Sequence, residues 1–397
     1  MKNLIYLLIS ASLIGYHFTI KPGVSYADFF MCILLVIMCL KIISRKWELD
    51  KFALLNLGYV FIMLFSSFLN QTFTNTIFIN YFRIYFYGCV AYICLFNSLK
   101  CKTDLIRFLL FFSLYLIFFA FNTRDFIMLS QESDVSNYQD FTSSLSYGRN
   151  NWGFTGLLFI IFTLYLMLTK QIKTWQSVLV LGLSVLVIFL SVSRMSILGA
   201  LIVFVCFCFI GKKNRLTILF SAVVVYFLVS FLMDFVSEEV LDSELGFINE
   251  KMDNASDDFY STRVYSINIL PLSLFYEKAD LIQFIFGDGI SIQHSIVAQT
   301  LMSTGIVGFI YFLFAHINLF LTYLRKSQQD KMTALLIFIF IANDFITNSR
   351  FIILVNTLLY STMCAYFIRA RVLGNVKSAK VVNKKNIQNE SNFSHRG

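Results

Sequence analysis

Residues 295–324 read SIVAQTLMSTGIVGFIYFLFAHINLFLTYL, thirty positions without one Asp, Glu, Lys or Arg. A membrane crossing needs about 20 predominantly apolar residues, so this stretch is read as a transmembrane helix. Directly before it lies the longest polar interruption in the chain, residues 234–294. That segment holds Arg263, the Gly287-Asp288-Gly289 turn and His294 close to the point of re-entry. An arginine, a turn and a histidine gathered beside a membrane surface mark the place to look for a site.

The rest of the chain repeats the apolar pattern. Of its 397 residues 58% are hydrophobic and only 14% charged, with a mean hydropathy of +0.72, which excludes an ordinary soluble domain. About twelve apolar runs can be marked, at 3–20, 26–43, 52–70, 76–97, 104–122, 152–169, 175–192, 195–211, 216–233, 295–324, 332–347 and 351–368. They predict an all-α fold, a polytopic transmembrane helix bundle forming one integral membrane domain over 1–397. The first run resembles a signal peptide, but its length and the lack of a small-x-small cleavage site before Lys21 favour an uncleaved helix. The eight cysteines lie in apolar runs or beside basic loops, so no disulfide framework or zinc site is expected.

Charge placement sets the orientation. Lys41, Arg45, Lys46 and Lys51 follow the second run, Lys100 and Lys102 the fourth, and Lys170 and Lys173 the sixth; Lys212, Lys213 and Arg215 follow the eighth, and Arg325, Lys326 and Lys331 the tenth. Every second loop is basic, which places those loops and both termini in the cytoplasm. The tail 369–397, with Arg369, Arg371, Lys377, Lys380, Lys384, Lys385 and Arg396, belongs to the same side. The formal charge of +9 is therefore read as a topology signal with some attraction to anionic membrane lipid, and no nucleic-acid partner is expected.

The opposite loops face outward. Residues 122–151 form the first large outer loop and 234–294 the main one, both acidic and aromatic; a surface helix is predicted over 261–274, with Pro271 kinking or ending it. Against that acidic background Arg124, Arg149, Arg194, Arg263 and Arg350 stand out. Arg83 lies inside the fourth run, roughly 10 Å below its outer end at 1.5 Å per residue. A guanidinium at that depth must face the bundle interior or a wet cavity.

Arginine offers a planar fork of donors that matches phosphate oxygens and keeps its charge. Several of them converging at one end of a bundle fit a phosphate or pyrophosphate carried on a lipid. The simpler reading pairs each with a nearby acid: Arg263 with Asp257 or Asp258, and Arg124 with Asp125, where that reading prevails. His294 has the chemistry of a general base for a sugar hydroxyl, or of a polar cap at a helix entrance. There is no Walker loop, no dinucleotide fingerprint and no extramembrane domain large enough for a nucleotide-sugar fold. The nearest acidic pair is Glu132-Ser133-Asp134, so no metal and no cofactor are expected.

Phe286-Gly287-Asp288-Gly289-Ile290, then His294-Ser295, Gln299 to Met302 and Gly305-Ile306-Val307-Gly308-Phe309 together resemble the late segment of the O-antigen polymerase and O-antigen ligase superfamily. Ser191 to Arg194 resembles its Ser-x-Ser-Arg hairpin, and Arg149-Asn150-Asn151-Trp152 its entry to the middle spans. Ser295 stands where Asn often follows the histidine, and Met195 and Ser196 replace glycines. The resemblance covers about Tyr147 to Ile317. It implies a GT-C-like membrane glycosyltransferase at the outer face of the bacterial inner membrane, acting on undecaprenyl-pyrophosphate-linked oligosaccharide, with a chain-length regulator as partner. In that frame Arg263 and His294 are the catalytic candidates, and Arg149, Arg194, Arg350 and Arg83 hold the pyrophosphate. Polymerase is the favoured branch, ligase the alternative, and a lipid-linked-sugar flippase or transporter a third reading.

Overall fold

The computed structural model describes residues 1–21, 24–130, 148–191, 194–210, 270–289, 296–346 and 355–374. In chain order the helices are α1 (Lys2–Gly15), α2 (Tyr26–Ile43), α3 (Lys51–Leu69), α4 (Thr76–Ser98), α5 (Lys102–Ser130), α6 (Gly148–Leu168), α7 (Thr174–Leu190), α8 (Arg194–Ile210), the short α9 (Leu270–Tyr276) and α10 (Leu281–Phe286), then α11 (Ile296–Leu324), α12 (Gln328–Ile346) and α13 (355–374). Stretches of α2, α3, α4, α5, α6 and α11 are long and apolar enough to cross a membrane, while α1, α7 and α8 are shorter apolar helices. The run expected at 216–233 lies outside the described residues.

Polarity is arranged as a lipid solvent requires. Phe61, Phe68, Leu110 and Phe209 are all more than 60% exposed, while Ser10, Ser66, Ser67, Thr155 and Ser184 are buried between helices. In water that outer surface would be an aggregation hazard; in hydrocarbon it carries no cost, and two of the inner hydroxyls, Ser66 and Thr155, reach partners on neighbouring helices. Small residues let backbones approach. A Cβ on Gly156 of α6 would stand 2.8 Å from the Ser184 carbonyl of α7, and one on Gly199 of α8 would stand 2.6 Å from Leu157 of α6.

The first expected run is not one helix. α1 stops at Gly15, and Thr19–Lys21 pairs antiparallel with Val24–Ser25 before α2 begins, so the all-α expectation has a two-stranded exception. Gly15 lies where a Cβ would be 3.1 Å from the Ala27 nitrogen, so the end of α1 and the start of α2 pack closely there.

All the described basic connections meet at one end. There Lys2 pairs with Asp104 at 2.5 Å, Arg371 with Asp330 at 2.5 Å, Lys51 Nζ donates to Asn318 at 2.7 Å, and Arg369 Nε donates to the Leu99 carbonyl at 2.6 Å. The acids at this end also start helices. Asp50 accepts from the Ala53 amide at 3.0 Å, Asp104 from the Lys100 amide at 3.0 Å, and Asp330 from the Ser327 amide at 3.1 Å. Each satisfies a backbone donor and opposes the positive end of its helix.

Candidate functional site at the break in α11

Gly305 interrupts α11 with φ 64° and ψ −169°, so the helix is two pieces, 296–304 and 306–324. The second piece has about 19 residues, or about 28 Å, close to the thickness of a bilayer core. The break therefore lies near the membrane boundary at the end opposite the basic loops. A break there exposes backbone carbonyls, which must be met within the protein. The Gly287-Asp288-Gly289 turn meets them: the Asp288 amide donates to the Met302 carbonyl at 2.7 Å and the Gly289 amide to the Ser303 carbonyl at 3.1 Å.

Glycine is required on both sides of this contact. Gly287 has φ 74°, and a Cβ on it would be 2.3 Å from the Ser303 carbonyl carbon; a Cβ on Gly305 would be 2.2 Å from the Ile285 oxygen. Positive φ and a backbone-on-backbone approach exclude any side chain. The end of α3 closes the arrangement. Ser66 Oγ lies against the carbonyls of Phe286 and, at 2.8 Å, Ser303; Asn70 Nδ2 donates to the Gly287 carbonyl at 2.7 Å. From the other flank the Tyr276 hydroxyl of α9 donates to the Leu301 carbonyl at 3.4 Å, and burial raises its pKa above the ordinary tyrosine value, which keeps it a neutral donor.

Two short elements reach this region. Leu281–Phe286, too brief to span, is the six-residue helix α10, capped by the Asp280 carboxylate accepting from the Gln283 amide at 2.8 Å. Pro271 stands in the first turn of α9, where a missing amide hydrogen costs nothing. Residues 261–269 of the expected surface helix lie outside the described residues.

His294, Arg263 and Arg350 also fall outside the described residues. Arg149 and Arg194 are placed by their backbones: they stand in the first turns of α6 and α8, parallel neighbours whose starts lie at the same end of the bundle as the α11 break. The flanks of the segment carrying Arg350 return to that end too, since Asn356 at the start of α13 meets Thr155 of α6 at 3.1 Å. Beside Arg149, Asn151 and Trp152 are buried, with the Trp152 ring stacked 4.9 Å from Phe119.

Arg83 has a different setting. Its NH1 is 3.0 Å from Asp28 of α2, and the two side chains are 20% and 12% exposed. The second oxygen of Asp28 accepts from the Ser25 amide at 2.7 Å, so this carboxylate both caps α2 and meets the arginine. Arg83 thus faces the bundle interior, as its depth demands, against an acid 55 residues earlier.

Ser66, Asn70 and Thr72 were not singled out by sequence reasoning. Their signal is the polar run at 66–72, Ser-Ser-Phe-Leu-Asn-Gln-Thr, with Ser66 and Asn70 one helical turn apart. Such a run ordinarily marks only where a span meets the interface. A small pocket lies deeper, between α3, α4, α11, α12 and α13, with room for about one water. Asn56, Tyr85, Thr357 and Tyr360 line it with His316, whose Nδ1 is 2.9 Å from the Phe312 carbonyl.

Fold and site together define a helical bundle with membrane-crossing helices, one of them broken near its end and locked by a short helix and turn. Comparisons with protein-family models, with characterised proteins and with solved structures find no match to this chain.

Proposed function

We propose that this protein is a polysaccharide polymerase: a membrane glycosyltransferase of about twelve spans and GT-C-like architecture in the bacterial inner membrane, with both termini cytoplasmic. It moves a growing glycan from undecaprenyl pyrophosphate to the terminal sugar of a new lipid-linked repeat unit. The acceptor hydroxyl attacks the anomeric carbon of the donor glycan and a glycosidic bond forms. The bond from that carbon to the pyrophosphate oxygen breaks, the lipid pyrophosphate leaves with the electron pair, and the hydroxyl proton passes to His294. Arg263, with Arg149, Arg194 and Arg350, holds the leaving pyrophosphate, as preorganised charge stabilises such groups.

The observation that carries this reading is the placement of Arg149 and Arg194. Both occupy first turns of neighbouring parallel helices, where backbone donors and the positive helix end also favour an anion. Their end of the bundle is also that of the α10–α11 contact, and His294 follows Gly289 by five residues in the sequence.

Incubating the purified protein with a lipid-linked repeat unit and no added metal should produce a ladder of longer lipid-linked glycans. Arg194→Lys and Arg263→Lys, which keep the charge but lose the planar fork, should each slow the ladder by at least about tenfold. Normal ladders from both variants would remove the pyrophosphate role. In cells, deletion of the gene should leave surface lipid bearing one repeat unit; bare core would instead assign the ligase reaction, and repeats trapped inside would assign a flippase.

A further inference from the structure

We infer that Ser66 and Asn70 at the end of α3 are positioning residues for this site: they lock the Gly287–Gly289 turn onto the break in α11 and so fix the end of α10 against the first piece of α11. The positioning role rests on the glycosyltransferase reading; the lock itself does not.

The donors account for one another. The Asn70 carboxamide has two N–H bonds, and it donates to its own helix at the Ser66 carbonyl, 2.8 Å, and across to the Gly287 carbonyl, 2.7 Å. The Ser66 hydroxyl, fully buried, lies between the carbonyls of Phe286 and Ser303. Phe286 and Gly287 close α10, where helical carbonyls lose their intrahelical partners, and Ser303 stands beside the break. Two side chains one turn apart on α3 therefore meet terminal carbonyls of two other elements, and Ser66 shares the Ser303 carbonyl with the Gly289 amide. The Thr72 hydroxyl adds a longer contact to the Asp288 carbonyl at 3.5 Å. A six-residue helix is too short to hold its own geometry, so its place depends on bonds from outside.

This arrangement separates positioning from general stability. Ser66→Ala removes one hydroxyl, and Asn70→Leu keeps the volume while removing both donors. In the purified full-length protein, both should exchange the Asp288 and Gly289 amides faster than wild type while helices distant from the break exchange unchanged. Turnover of the lipid-linked repeat should fall by about 100-fold, the scale of a misplaced reacting group, with KM within about twofold. Ser66→Thr, which retains the hydroxyl, should restore turnover.

Unchanged exchange at 288–289 would overturn the lock, and so would faster exchange spread evenly over all helices. Faster local exchange with wild-type turnover would overturn the positioning role. If Asn70→Leu fails to fold, Ser66→Ala decides alone. A wild-type protein that makes no ladder sinks the glycosyltransferase reading and the positioning role with it, while the exchange measurement still decides the lock.

Discussion

Arg83 and Asp28 define what a single charged pair does in this bundle. A guanidinium about two turns down a membrane helix costs several kcal/mol unless an acid and further hydrogen bonds receive it, and Asp28 receives it at 3.0 Å. Removing Arg83 leaves the Asp28 carboxylate largely buried without its cation. Arg83→Leu should therefore lower stability by roughly 3 kcal/mol, read as thermal unfolding in detergent. The double variant Arg83→Leu with Asp28→Asn should recover most of that loss, because asparagine still offers the Ser25 amide an acceptor. If the double variant is as stable as wild type and still elongates glycans, Arg83 is a structural residue; stability without activity keeps it among the pyrophosphate ligands. Sequence depth alone singled out Arg83. It could not show the partner, which stands on another helix and is joined to it by nothing local.

At the scale of the element, α11 is the instructive case. Its 29 apolar and uncharged residues read as one span, since nothing in them lacks an amide hydrogen and hydropathy continues through the glycines. The break arises because Asp288 and Gly289 present amides to the Met302 and Ser303 carbonyls, and only glycine at 305 allows the backbones to meet. Gly305→Ala should cost at least about 3 kcal/mol, combining a left-handed backbone with a Cβ driven into the Ile285 carbonyl. Gly182→Ala in the middle of α7, where a Cβ meets nothing within 4 Å, should be neutral or stabilising by about 0.5–1 kcal/mol. Equal losses in the two variants, measured by denaturant titration in the same detergent, would refute a specific role for the break.

Over the whole molecule, the two ends of the bundle are chemically distinct. The basic connections lie together at one end, tied by Lys2–Asp104 and Arg371–Asp330, and the α10–α11 lock and the first turns of α6 and α8 lie at the other. Cys101 is exposed at the basic end and Thr74 at the opposite one. In intact cells a membrane-impermeant maleimide should spare Cys101 until the membrane is permeabilised, and should label Thr74→Cys directly in a Cys101→Ser background. Labelling of Cys101 in intact cells would invert the orientation. The helical membrane class, the alternation of basic connections and the short apolar piece at 281–286 are legible in the residues alone. Those depend on solvent partition summed over some twenty neighbouring residues, which is a local property. That Arg83 faces Asp28, that α1 yields to a hairpin after Gly15, that α11 breaks at Gly305 and that Ser66 and Asn70 close the break emerges in three dimensions. Each of these is a desolvated polar group or a crowded backbone finding its partner on a segment distant in sequence, and no local pattern records that choice.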